Sequence, residues 1–140
     1  MTILLQKGAM TKADLIVVFE REFNTLKHLF KVESFNPKEH GIKPAHDDWA
    51  RPGVYIYLKG NQAIKVGKSQ TNSFKRSLEH IRDNTSSKDG VIQMRDLGTM
   101  EDVLIVLINV KNQQDDHWVP SLEYYMEKEL NPLIKSGRRG

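Results

Sequence analysis

Apolar and other residues alternate with period two over residues 53 to 66. Val54, Ile56 and Leu58 are followed, past Gly60-Asn61, by Ile64 and Val66. Alternation across a Gly/Asn turn predicts a β-hairpin with one face on a core. Tyr55, Tyr57 and Lys65 then share the opposite, half-exposed face. Directly opposed residues of an antiparallel pair lie on the same side of the sheet. A two-residue loop at Gly60-Asn61 would pair Tyr55 with Val66 and mix the faces. A three-residue loop keeps them apart and sets Lys65 opposite Tyr55 or Tyr57. The odd loop is therefore the expectation.

Upstream, Leu15, Val18, Phe19, Phe23, Leu26 and Phe30 recur at helical spacing, so residues 12 to 31 read as an amphipathic helix. Thr11 or Asp14 is available to cap its start. Residues 33 to 52 lack periodicity and read as a connecting loop. Downstream, a helix begins at Ser73, with Phe74, Leu78 and Ile81 on one face and Arg76, His80 and Asp83 on the other. Residues 103 to 110 are an almost continuous apolar run, the mark of a central strand covered on both faces. Pro120 suits the first turn of a last helix, whose stripe is Leu122, Met126, Leu130 and Leu133 and whose regular part Pro132 limits.

The order β-β-α-β-α predicts an α+β fold, a small antiparallel sheet (hairpin plus central strand) flanked by helices. Residues 1–47 are read as an N-terminal helical extension and loop, residues 48–140 as the main domain. Val54, Ile56, Ile64, Val66, Phe74, Leu78, Ile105 and Leu122 are expected to share one core.

At 140 residues the chain is long enough for one ordinary core. No apolar run is long enough to span a membrane, and residues 2 to 6 lack the length and basic lead-in of a signal peptide. With no cysteine, disulfides, thiolate zinc sites and cysteine nucleophiles are excluded. A cytoplasmic protein fits. The net charge is only +3, but residues 59 to 88 hold Lys59, Lys65, Lys68, Lys75, Arg76, Arg82 and Lys88 against two acidic residues. Arg138 and Arg139 add to the tail. Such a cluster suits a polyanion such as nucleic acid. His46-Asp47-Asp48 is a poor metal set because adjacent side chains diverge. Gly67-Lys68-Ser69 is not a phosphate loop, since Gln62 stands where that motif needs glycine.

Gly53-Val54-Tyr55 followed by Lys65-Val66-Gly67 resembles the paired motifs of the GIY-YIG nuclease superfamily. The resemblance extends to Arg76 with His80 one turn later, and to Leu122-Glu123 followed at family spacing by Pro132; it covers residues 53 to 135. It implies a GIY-YIG-like fold and a metal-dependent endonuclease hydrolysing DNA phosphodiester bonds; RNA is left open as a partner. Two positions depart from the pattern. Lys65 replaces the tyrosine of the second motif, and Lys135 stands where asparagine is expected after the proline. The departures open the alternative of a catalytically inactive nucleic-acid-binding module of the same fold.

By that resemblance Tyr55, Lys65, Arg76, His80 and Glu123 are the catalytic candidates. Tyr55 is the base for water, His80 its assistant, and Arg76 the brace for the phosphate. Glu123, expected in the first turn of its helix, is the ligand of one Mg²⁺ or Mn²⁺. Lys68, Lys75, Arg82 and Lys135 are the nucleic-acid-binding candidates. Lys65, placed opposite Tyr55 or Tyr57, is expected to favour the Tyr55 phenolate as well as to contact phosphate.

Overall fold

Four antiparallel strands form one sheet: β1 (Phe30–Phe35), β2 (Gly53–Lys59), β3 (Gln62–Ser69) and β4 (Val103–Val110), in the order β1-β4-β2-β3. They come from a computed structural model, which describes residues 9–85 and 92–135. Lys88, Arg138, Arg139, Ser86-Ser87 and the opening segment 2–6 lie outside the described residues. The apolar run 103–110 is β4, paired on both sides and buried along nearly its whole length. The helices are α1 (Lys12–Phe23), α2 (Pro37–His40), α3 (Ser73–Arg82) and α4 (Val119–Leu130). No helix among the described residues is long and apolar enough to cross a membrane.

The hairpin forms, but by a different device from the expected odd loop. Lys59 pairs with Gln62 across a two-residue turn, in which Gly60 supplies the positive φ of 59°. The register then shifts between Tyr57 and Leu58: Leu58 faces Ala63, while Tyr57 faces Lys65. Ile64 is thus the extra residue of a β-bulge. The bulge corrects the register that the tight turn alone would impose. Lys65 lies opposite Tyr57, and Gly67, not Lys65, lies opposite Tyr55.

The sheet is covered on both faces, so the expected single core divides in two. Val54, Ile56, Val66 and Leu122 lie on one side with Leu15, Val18, Phe19 and Phe23 of α1. Ile64, Phe74 and Ile105 lie on the other with Tyr55 and Tyr57, and Leu78 packs against that cluster. The face carrying the tyrosines is therefore buried rather than half exposed: Tyr55 is 2% and Tyr57 0% accessible.

The N-terminal segment departs furthest from its sequence pattern. α1 starts with a complete capping box: Asp14 N donates to Thr11 Oγ1 at 3.2 Å, and Thr11 N donates to Asp14 Oδ2 at 2.9 Å. It ends at Phe23, a 3₁₀ turn covers Asn24–Leu29, and Phe30 opens β1 instead of continuing the helix. β1 pairs with β4 from Phe30 opposite Val110 to Phe35 opposite Ile105. Both α1 and β1 precede residue 48, so the sheet and its first core run across the expected boundary.

Candidate active site

The starts of β2 and α3 are fixed by one buried amide. Asn109 of β4, 2% exposed, donates through Nδ2 to Asp48 O (3.0 Å) and Trp49 O (2.9 Å). Its Oδ1 accepts from Ser73 Oγ at 2.5 Å. Gly53 makes room for it, because a Cβ there would sit 1.9 Å from Asn109 Oδ1. Asn72 then caps α3, its Oδ1 accepting from Lys75 N at 2.9 Å. The glycine of the first motif thereby holds the helix that carries Arg76 and His80.

The glycine of the second motif has an equally local reason. A Cβ at Gly67 would lie 2.4 Å from Tyr55 Cε1 and 2.7 Å from its hydroxyl oxygen. The Tyr55 ring therefore lies across Gly67 of the edge strand. From there its hydroxyl meets His80 Nε2 at 2.8 Å. The two rings are 5.6 Å apart between centroids. On its other nitrogen, Nδ1, His80 hydrogen-bonds Thr85 Oγ1. His80 does not share the solvated face with Arg76 as the helical wheel suggested; it is 7% exposed and turned to the sheet.

Tyr57 stands beside Tyr55, ring centroids 5.7 Å apart, and donates from its hydroxyl to Ser77 O at 2.7 Å. Burial holds its phenol protonated well above the ordinary range, a charge on Tyr55 would push the same way, and Arg76 opposes both. Tyr57 is thus a structural phenol, and Arg76 lies within electrostatic reach of it. Linkage gives a prediction. Above about pH 10, the unfolded-state tyrosine value, the unfolded chain releases a proton that folded Tyr57 keeps. The stability present below that pH is lost as pH rises toward the folded value. Tyr57→Phe should cost about 1 kcal/mol near neutrality through the lost hydrogen bond. The gap to the parent should narrow in urea unfolding above pH 10, and a constant gap would refute this role.

The other candidates are distributed unevenly. Arg76, 47% exposed, pairs with Glu79 at 3.2 Å. Arg82 grips Asp83 through two hydrogen bonds (2.8 and 3.1 Å), which hold that carboxyl below the usual range. Lys135 donates to Oδ1 of Asn131, the asparagine before Pro132. Lys75 is exposed and Lys68 partly so, and neither makes an ion pair among the described residues. Lys65 is 8% exposed.

Glu123 is partly buried on α4, which starts at Val119 and has no acidic residue in its first turn. Glu123 is the fifth residue of this helix, one place beyond the first turn in which it was expected. α4 contributes Leu122 and Met126 to the core opposite α3, and both helices pack against β3. A site drawing on Glu123 and Arg76 together would lie along the edge of β3. Glu127, on the same side of α4 as Glu123, is 2% exposed.

Among the described residues no group of three His, Cys, Asp or Glu side chains gathers as a metal cage. Asp48, part of the weak His46-Asp47-Asp48 set, pairs with Lys31 at 3.0 Å. A groove of about 530 Å³ runs between α3 and the segment from Pro37 to Pro44, past Ile42, Lys75 and Leu78, without touching Tyr55 or His80. Comparison with protein-family models, curated proteins and solved structures finds no match.

Proposed function

We propose that the chain is a GIY-YIG-type, metal-dependent endonuclease acting on DNA phosphodiester bonds. The observation that carries this reading is the 2.8 Å hydrogen bond between Tyr55 and His80, with Arg76 one turn earlier on the same helix. It joins two motif residues 25 positions apart in the sequence. A phenol on an imidazole acceptor is a proton-transfer pair. His80 Nε2 takes the Tyr55 proton, and the phenolate takes one from the water whose oxygen bonds to phosphorus. The bond to the departing ester oxygen breaks, and that oxygen is protonated from solvent. Arg76 offers paired N–H donors to the non-bridging oxygens. Lys68 and Lys75 supply charge along the strand's backbone.

One carboxylate ligand is enough for a hard cation that keeps several waters and completes its shell with substrate phosphate. Glu123 would hold it, and it would neutralise charge on the phosphate. Glu123→Ala should lower Mg²⁺-supported cleavage at least about a hundredfold, since a metal ion supplies several kcal/mol of charge stabilisation. The exposed Glu129 is the control. Buried Glu127 is not, because its removal would also disturb packing. If Glu123→Ala cuts like the Glu129→Ala control, Glu123 is not the ligand.

One observation favours a second reading, a nucleic-acid-binding module of the same fold without cleavage. Tyr55, Lys65 and His80 are all below a tenth exposed, while Arg76 and Lys75 face solvent. Salt-sensitive DNA binding with no cutting in Mg²⁺ would select it.

A further inference from the structure

We propose that Thr85 is a positioning residue that sets the tautomer of His80, so that Nε2 is the acceptor for the Tyr55 proton. The proposal rests on the nuclease reading for its purpose but not for its test.

α3 ends in a Schellman motif. Asn84 takes the left-handed conformation (φ 51°), Asn84 N donates to Ile81 O at 3.3 Å, and Thr85 N donates to His80 O at 3.1 Å. In this motif the last residue of the turn folds back over the one five positions earlier, and the pair usually makes an apolar contact. Here the pair is Thr85 and His80, and the contact is Thr85 Oγ1 on His80 Nδ1. The turn is itself braced: Asn84 Nδ2 donates to Gln93 Oε1 at 2.8 Å, and Asn84 Oδ1 accepts from Arg95 N at 3.1 Å. A polar pair has replaced an apolar one at the position that meets the far side of the imidazole.

Which ring nitrogen carries the proton is set by the hydrogen bond that the other makes. A phenol is a stronger donor than a neutral imidazole N–H, and an imidazole nitrogen is a better acceptor than a phenol oxygen. Donation from Tyr55 to Nε2 therefore requires the ring proton on Nδ1, and in a buried site that tautomer is favoured only while Nδ1–H has an acceptor. A hydroxyl oxygen accepts it there; a methyl group would not. Thr85 meets the imidazole at Nδ1 and Tyr55 meets it at Nε2, so the role of Thr85 acts through His80.

The test is the ¹⁵N spectrum of the His80 ring in the free protein at pH 8, where an ordinary histidine (pKa about 6.5) is neutral. Neither DNA nor metal is needed. The parent and Thr85→Ser should show Nδ1 protonated and Nε2 as acceptor, whereas Thr85→Val should shift population to the other tautomer. A parent ring protonated on Nε2, or on both nitrogens, overturns the proposal, and so does an unchanged tautomer in Thr85→Val. If the valine variant does not fold, the parent and serine spectra still decide. Single-turnover cleavage should fall roughly five- to tenfold in Thr85→Val, as for one lost neutral hydrogen bond, and recover in Thr85→Ser. Absence of cleavage in the parent would count against the nuclease reading and leave the tautomer result standing.

Discussion

Tyr55→Phe is expected to slow single-turnover cleavage by about 10²–10⁴-fold, the range supplied by a positioned general acid or base. DNA affinity and fold should change little. The ring remains to fill its place across Gly67, and only the hydroxyl bonded to His80 is removed. His80→Gln should fall in the same range, and the double variant should be little worse than either single one, because residues that act as a unit are not additive. Measured with DNA in excess of its dissociation constant, the loss should be in the rate of the chemical step. A Tyr55→Phe protein that cuts at the parent rate would leave the phenol no role in proton transfer.

The largest stability effect is expected at Gly53. An alanine Cβ would meet Asn109 Oδ1 at 1.9 Å, Ile108 O at 2.6 Å and Asn109 Cα at 2.7 Å. Two of these atoms are backbone of the paired strand β4, which has no room to move. Overpacking costs about 1–3 kcal/mol. Displacing Asn109 would also strand Ser73 Oγ and the carbonyls of Asp48 and Trp49, at about 1–3 kcal/mol for each buried group left unpaired. Gly53→Ala should therefore lose about 4 kcal/mol or more, a large part of the 5–15 kcal/mol typical of a domain. Gly67→Ala should cost less, because its clash is with the Tyr55 side chain. Gly98→Ala should cost least, meeting only Ile81 Cγ2 at 3.0 Å. Urea unfolding gives the order directly; Gly53→Ala as stable as Gly98→Ala would contradict it.

What the sequence made legible was local. Alternation located β2 and β3, the apolar run located β4, and helical spacing located α1, α3 and α4. The hairpin's pairing of Tyr57 with Lys65 was also within reach, since the side-chain period allows few registers. The bulge was not, because Ala63-Ile64 looks like a flaw in the alternation until two faces are known to be buried. β1 was lost because Phe30 continues a helical count from Phe23 and Leu26. Its own alternation, Phe30 and Val32 against Lys31 and Glu33, is short and finds its partner 74 to 80 residues later in β4.

The candidate site shows the same limit. Tyr55, Arg76 and His80 were named through the family resemblance, yet the burial of Tyr55 and His80 was not legible. A wheel drawn on α3 sees only its own helix, not the face of the sheet from which Tyr55 meets His80. Asn109 sat unnoticed inside an apolar run, although a polar residue in a central strand is itself a signal of a buried node. Thr85 lay in a polar stretch that reads as a loop, because nothing in Asn84-Thr85 announces that the left-handed turn brings it back to His80.

The central proposal is hydrolysis of DNA, and the most direct measurement is conversion of supercoiled plasmid by the intact chain at low salt. Three reactions are run side by side: with Mg²⁺, with Mg²⁺ plus excess chelator, and with Tyr55→Phe in Mg²⁺. Nicked or linear product in the first reaction alone is the expected result. Plasmid bound but uncut in Mg²⁺ and in Mn²⁺, or cut equally by the parent and Tyr55→Phe, would contradict it.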